Sequence, residues 1–80
     1  MAFKADPTWL RKTISGSSQI KQVLYDNNEN RLYIIFNTGA TYSYESVSAE
    51  EHRSLIGSSS PGKYFHSNIK QKSTTKQSNG

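Results

Sequence analysis

The chain has 80 residues, which is enough for one small domain with one hydrophobic core. It has no cysteine, so the composition excludes a disulfide framework and a thiolate metal site. No apolar run approaches the roughly 18 residues of a membrane span, and the first residues lack the apolar segment of a signal peptide. We therefore expect a cytoplasmic protein that does not contact a membrane.

The formal net charge of +4 is unevenly distributed along the chain. Lysine and arginine dominate residues 1–21 and 60–80, whereas acidic residues dominate residues 22–59. Basic ends favour an anionic partner, although a solvated tail would have the same composition. The last residues, 73–80, are polar and basic and predict a disordered tail.

Residues 1–17 form an N-terminal segment. The letters DPTW predict a short helix there, with Asp6 as the cap and Pro7 at the first helical position. Trp9 either packs on the rest of the protein or contacts a partner, because tryptophan is frequent at binding hot spots. A stretch rich in serine and glycine then leads into the folded body.

Residues 18–72 are expected to fold as three strands followed by two helices. Three runs rich in β-branched and aromatic residues predict the strands, at residues 19–26, 31–37 and 41–45. The letters DNNEN and NTGA between them are typical of tight turns. The three strands should therefore form an antiparallel meander.

Alternation along the second and third predicted strands indicates which side chains face the core. Leu32, Ile34 and Phe36 share one face of the middle strand. Tyr42 and Tyr44 share the apolar face of the third strand. A sheet that is covered by helices turns its apolar face inward, so we expect both tyrosines in the core.

Two helices are predicted after the strands. Ser48 and Glu51 have the spacing of a capping box, and Gly57 is expected to end the first helix. Ser60 and Pro61 are expected to begin the second helix. The predicted fold class is α+β, with a three-stranded antiparallel β-meander covered by one or two C-terminal helices.

Several residues within 18–72 form a pattern of residue types at characteristic spacing. The central letters are Tyr42-x-Tyr44, and the closing letters are Ser60-x-Gly62-x-Tyr64-Phe65. The pattern also includes Ser18, Ile20, Tyr25, Asp26, Leu32, Phe36, Gly39, Val47 and Ile69. In this pattern the chain resembles the KTSC domain family, which is named for a segment at the C-terminus of some lysyl-tRNA synthetases.

The resemblance implies a small β-meander with a C-terminal helix and no established activity. RNA binding has been suggested for the family because of its synthetase context. The family also occurs as small stand-alone proteins of bacteria and phages, so the host cytoplasm is the expected location if the chain is phage-encoded. We therefore expect a small non-enzymatic binding module without a cofactor.

Two overlapping groups of residues are candidates for binding nucleic acid. Ser58, Ser60, Gly62 and Lys63 form a candidate anion site, because a helix start presents free N–H groups. Lysines that contact phosphates and tyrosines that stack on bases would bind RNA or single-stranded nucleic acid, and the candidates are Lys63, Lys70, Lys72, Tyr33 and Tyr64. An ordinary helix cap and a solubilising basic strip are the competing interpretations.

A protein-binding role is the alternative to nucleic-acid binding. Trp9, Leu10, Tyr33 and Ile35 would form an apolar anchor for a host protein, as in a bacterial or phage adaptor or inhibitor. The small core makes a homodimer as reasonable as a monomer. Two histidines without any cysteine are too few to predict a metal or a catalytic site.

Overall fold

The computed structural model describes residues 5–77 and shows one sheet packed against two helices. Each strand is antiparallel to its neighbours, and the strands lie in chain order across the sheet. The elements are β1 (Leu10–Thr13), β2 (Ile20–Asp26), β3 (Arg31–Phe36), β4 (Thr41–Tyr44), α1 (Ala49–Gly57), α2 (Pro61–Asn68) and β5 (Thr74–Gln77). The α+β class is confirmed, and residues 5–77 contain no helix with the length and apolar character to cross a membrane.

The predicted meander corresponds to β2, β3 and β4. Tyr33 and Ser43 lie opposite each other on β3 and β4, so they share one face of the sheet. Asp26 closes the turn between β2 and β3, because its Oδ1 accepts the backbone N–H of Asn28 at 3.0 Å. Gly39 occupies the turn between β3 and β4 with a φ of 94°, a conformation that other residues rarely adopt.

The sheet has five strands rather than the predicted three, because one strand is added at each edge. At the first edge, Leu10–Thr13 pairs with β2, and residues 5–9 do not form the expected short helix. Asp6 instead closes a turn, in which its Oδ1 accepts the N–H of Thr8 at 2.8 Å. All four residues of β1 are exposed, so the strand lacks the apolar alternation that identifies a strand in a sequence.

At the other edge, Thr74–Gln77 forms β5 within the segment that the sequence predicts to be disordered. All four residues are polar, and β5 is held by backbone pairing with β4. The Gln77 side chain adds a hydrogen bond, donating from Nε2 to the Ser43 hydroxyl at 2.9 Å. Backbone pairing requires no particular pattern of side chains, so the sequence predicted disorder where the structure has a strand. Residues 1–4 and 78–80 of the two predicted terminal segments lie outside the described residues.

The two helices cover one face of the sheet and form the core with it. Tyr44 is 4% exposed and Tyr42 packs against the same cluster, which confirms that both tyrosines face the core. Phe65 of α2 contacts Phe36 and Tyr44 edge to face, with centroid distances of 5.6 and 5.3 Å. The other core residues are Ile20, Val23, Tyr25, Leu32, Ile34, Val47, Leu55 and Ile69.

Hydrogen bonds in its first turn confirm the predicted start of α1. The Glu51 N–H donates to the Ser48 hydroxyl at 3.1 Å, and the Ser48 N–H donates to the Glu51 carboxylate at 3.0 Å. The helix ends at Gly57, and Ser58 caps it in an extended conformation. As predicted, α2 begins at Pro61.

Candidate nucleic-acid cleft

A cleft lies between the loop that follows β1 and the start of α2, and its first half is a cavity of about 270 Å³. Gly16 has a φ of 82°, which allows the loop to turn. The Ser17 hydroxyl accepts the N–H groups of Gln19 and Ile20, at 3.2 and 3.0 Å, and so holds the loop at the start of β2. The lining residues are 16–19, 59–63 and His66.

This first half offers hydrogen-bond donors to an anion. The Ser60 side chain precedes α2 and makes no capping hydrogen bond. N–H groups in the first turn of a helix have no acceptor within the helix, so those of Gly62 and Lys63 point out of its end. The Lys63 side chain is exposed beside them. None of the described residues that line this cavity is acidic, so no carboxylate there repels an anion.

The second half of the cleft adjoins the first and is aromatic. It is a cavity of about 330 Å³ beside the turn between β3 and β4. The rings of Phe36 and Tyr42 meet edge to face there, with centroids 5.8 Å apart. Both side chains are half-buried, so part of each ring remains accessible to a ligand. The lining residues are Ser18, Gln19, Phe36, Asn37, Thr38, Ala40, Tyr42 and His66.

Gln19 and His66 line both halves of the cleft. Their side chains form a hydrogen bond of 2.8 Å, in which Gln19 Oε1 accepts from His66 Nε2. The bond joins the loop after β1 to α2, two segments that are distant in the sequence. The bond therefore lies where the donor-rich half and the aromatic half meet.

The structure brings most of the predicted anion site together. Ser60, Gly62 and Lys63 line the cleft. Ser58 does not line it, because its hydroxyl accepts the N–H of Ser60 at 3.0 Å and shapes the loop before α2. Lys70 is exposed and lies just after the end of α2, and it does not line the cleft.

Tyr33 and Lys72 have structural roles in place of the predicted contacts with nucleic acid. Tyr33 is 6% exposed, and its ring stacks on that of Trp9 with centroids 4.4 Å apart. Lys72 Nζ donates to the Ser46 carbonyl at 3.0 Å and pairs with the Glu51 carboxylate at 3.2 Å. Trp9 thus covers the ring that was expected to be exposed, and Lys72 fastens the chain after α2 to the start of α1. The other predicted stacking residue, Tyr64, is half-buried against the core and does not line the cleft.

The predicted apolar anchor for a partner protein is only partly exposed. Trp9 is half-buried with its ring against Tyr33, and Ile35 is half-buried as well. Leu10 is 52% exposed, and among residues 5–77 it is the only large hydrophobic residue that is mainly exposed to solvent. The aromatic pair therefore packs on the protein's own sheet, and Leu10 is the member that a partner can reach.

A third cavity of about 270 Å³ lies at β3, β4 and β5 and is lined by polar side chains. There Arg31 Nε donates to Glu45 Oε2 at 2.7 Å, and Gln77 Nε2 donates to the Ser43 hydroxyl at 2.9 Å. The hydrogen bond that Arg31 donates to the Glu45 carboxylate is the main cause of a raised pKa for the guanidinium. Since these polar groups pair with one another, the cleft beside α2 is the better ligand site.

The sequence indicated only Ser60, Gly62 and Lys63 among the cleft residues, and the residues it did not indicate as site residues include Ser17, Gln19, Phe36, Tyr42 and His66. Phe36 and Tyr42 flank the glycine turn, and their spacing indicates core positions rather than a ligand surface. Ser17 and Gln19 carry no signal of their own, because only the folded chain places them beside α2. Their only local feature is that they are polar and lie near a predicted turn, which many other residues of this chain share.

These features define a small α+β domain whose sheet is covered on one face by two helices and bordered by an open cleft. The chain belongs to the KTSC domain family, because the sequence model of the KTSC domain matches residues 16–72. A crystal structure of a KTSC domain protein from Yersinia pestis is similar, with a TM-score of 0.79 and 30% identity, and the match covers 86% of this chain and 97% of that chain. A comparison with curated proteins found no match.

Proposed function

We propose that this KTSC domain is a non-enzymatic binding module for single-stranded nucleic acid, with RNA as the first candidate. The observation that carries the proposal is the adjacency of a donor-rich half and an aromatic half in one cleft. Proteins that bind single strands combine cationic contacts to phosphates with aromatic side chains on which bases stack. The cleft offers both kinds of contact at neighbouring positions.

The donor-rich half would hold a phosphate. Lys63 supplies the charge, and the first-turn N–H groups and the Ser60 hydroxyl supply hydrogen bonds. Lys70, an exposed cation just after the end of α2, would contact a second phosphate. Phe36 and Tyr42 would then contact a base in the aromatic half.

The placement of the acidic residues supports an anionic ligand. Asp26 ends β2 and Glu29 lies in the turn that follows, and Glu50 and Glu51 belong to the first turn of α1. None of them is among the lining residues of the two halves. RNA is tested before DNA because RNA binding has been suggested for the family from its lysyl-tRNA synthetase context.

The proposal is binding without catalysis. Among the described residues that line the two halves there is one histidine, His66, and no carboxylate. General acid–base catalysis needs a positioned acid and a positioned base. The lining therefore supports recognition of a phosphate and a base more than cleavage of the chain between them.

The test is a fluorescence-anisotropy titration of a labelled single-stranded RNA at low and at high salt. We expect binding that weakens as salt rises, because each neutralised phosphate contributes about −0.7 to the log–log slope. Lys63→Ala should make the slope shallower by about 0.7, and Lys70→Ala should act in the same direction. Tyr42→Ala should lower the affinity roughly tenfold with little change in slope.

Arg53→Ala is the matched control, because Arg53 is an exposed cation on α1 outside the cleft lining. If Arg53→Ala weakens RNA binding as much as Lys63→Ala does, the contact is diffuse attraction and the cleft is not the site. An absence of RNA binding at low salt would refute the proposed function. Titration with a DNA strand of the same sequence then shows whether the site distinguishes the two nucleic acids.

A further inference from the structure

The outer edge of β1 is a second surface with the features of a binding site. Among residues 5–77, β2 is the only strand that pairs with β1, so the other edge of β1 carries unpaired backbone groups. All four residues of β1 are exposed, and Leu10 is 52% exposed. An edge with these properties can pair with an extended segment of another chain.

The register shows which backbone groups face outward. The Ile14 N–H donates to the Lys21 carbonyl at 2.9 Å, one step beyond the pairing of Thr13 with Gln22. Hydrogen-bonded pairs alternate along antiparallel strands, so Lys12 also points its N–H and C=O toward β2. Arg11 and Thr13 therefore point theirs away from the sheet, where a partner strand would meet them.

The side chains of β1 determine which charge a partner strand should carry. Arg11 and Lys12 are neighbours in the strand, so they place one exposed cation on each face of the edge. A second copy pairing through β1 would bring these cations close to their equivalents, which is unfavourable. Carboxylates on both faces of an incoming strand would instead pair with them, and an apolar side chain would contact Leu10.

The edge at β5 lacks these features. Its residues Thr74–Gln77 include one cation, Lys76, and no apolar residue. Of the two edges, β1 alone therefore combines an exposed apolar side chain with cations on both faces.

We propose that the outer edge of β1 binds an extended acidic segment of a partner protein by strand addition. Backbone hydrogen bonds to Arg11 and Thr13 would provide pairing, and the charges of Arg11 and Lys12 would provide selectivity. This inference does not depend on the nucleic-acid proposal, because the two surfaces share no residue. A nucleic acid could contact the cations of this edge, but it lacks the alternating N–H and C=O groups that strand pairing requires.

The test uses a short fluorescein-labelled peptide, Thr-Val-Glu-Glu-Val-Thr-Val, titrated with the full chain at low salt. Thr13→Pro removes one outward N–H without removing charge, and proline is tolerated at edge positions whose N–H faces solvent. We expect this variant to lose affinity at least about tenfold while it unfolds at nearly the same temperature. Its binding to RNA should not change.

Two matched controls test which edge of the sheet binds the peptide and whether binding requires its acidic side chains. Lys76→Pro removes an outward N–H at the β5 edge and should leave peptide affinity unchanged. A peptide in which lysines replace the glutamates should not bind. If Thr13→Pro fails to fold, the same peptide with N-methyl groups on alternate backbone nitrogens, tested against the unmodified chain, replaces the variant and should lose affinity equally.

Three results would overturn the proposal. The first is no binding of the acidic peptide at low salt. The second is equal binding by Thr13→Pro, or by the N-methylated peptide, which would show attraction of charge without strand pairing. The third is a dimer in sedimentation that Thr13→Pro dissociates, because the edge would then pair with a second copy of the chain.

Discussion

The ring of His52 lies in the interior, 4% exposed, and stacks on Tyr25 with centroids 4.5 Å apart and an angle of 9° between the rings. Its Nε2 has no hydrogen-bond partner among the described residues. Burial lowers the pKa of His52 below its ordinary value of 6.5, and the nearby charge of Arg53 lowers it further. The Tyr25 hydroxyl cannot donate to Nε2, because its hydrogen is donated to the Val47 carbonyl at 2.7 Å.

These contacts predict that the protein becomes less stable as the pH is lowered. Below pH 6.5 the unfolded chain gains a proton at His52 before the folded chain does, so the free energy of unfolding decreases as the pH falls. The slope should be at most about 1.4 kcal/mol per pH unit. His52→Phe keeps the stacking on Tyr25 and should remove this slope. Urea unfolding at a series of pH values between about 7 and 5 measures it.

The matched control is His66→Asn, which removes the exposed histidine and should leave the slope intact. The urea unfolding series ends near pH 5, because Glu51 has a lowered pKa and would contribute only at lower pH. The hydrogen bond from the Ser48 N–H is the largest cause that lowers the pKa of Glu51 below 4.5, so its contribution is lost only in stronger acid. A slope that persists in His52→Phe would show that another group carries the acid sensitivity.

Among the elements, β5 combines a polar sequence with a defined pairing. The Glu45 N–H donates to the Ser73 carbonyl at 3.0 Å, next to the pairing of Tyr44 with Thr74. By the alternation of antiparallel pairs, Thr75 points its backbone N–H toward β4, whereas Lys76 points it away. The strand therefore has an inner and an outer set of N–H groups, although all of its side chains are polar.

This alternation of inward and outward N–H groups predicts that two neighbouring proline substitutions destabilise the protein by different amounts. Thr75→Pro removes a ladder hydrogen bond and should destabilise the protein by about 2–3 kcal/mol. Lys76→Pro removes an N–H that faces solvent and should cost less than about 1 kcal/mol. Urea unfolding gives both values, and hydrogen exchange shows whether the amides of β4 lose protection. Equal effects of the two substitutions would mean that β5 is not paired in this register.

For the whole molecule, stability depends on a core that is small for the length of the chain. Phe65 is 4% exposed and contacts Phe36 and Tyr44 edge to face, so it joins α2 to β3 and β4. Phe65→Ala should cost about 3–5 kcal/mol. A domain of this size has a stability of roughly 4–12 kcal/mol, so the loss is a large fraction of the total.

Phe65→Leu tests the size of the cavity separately from the aromatic contacts, and we expect it to cost less than Phe65→Ala. Tyr64→Ala is the neighbouring control, because Tyr64 is only half-buried and should cost less than either. Thermal and urea unfolding measure all three variants. If Phe65→Ala lost less than about 1 kcal/mol, the packing of α2 on the sheet would not be a main source of stability.

Local side-chain patterns in the sequence determined the central part of this protein. Alternation in the middle strands predicted that Tyr42 and Tyr44 face the core, and the spacing of Ser48 and Glu51 predicted the start of α1. These predictions succeed because burial and capping act on residues close together in the chain. The residues of the predicted anion site are also close in the chain: Ser60, Gly62 and Lys63 line one cavity and Ser58 does not, and anion binding there stays a prediction.

The tertiary structure alone decided the edges of the sheet and the shape of the cleft. β1 and β5 form by backbone hydrogen bonds to strands already in place, and such bonds require no particular side chains. The ring of Trp9 covers that of Tyr33, and the cleft forms where Gln19 and His66, which are distant in the sequence, meet in a hydrogen bond. Contacts between distant segments follow from how packed elements meet, so a periodic pattern of side chains within one segment cannot specify them.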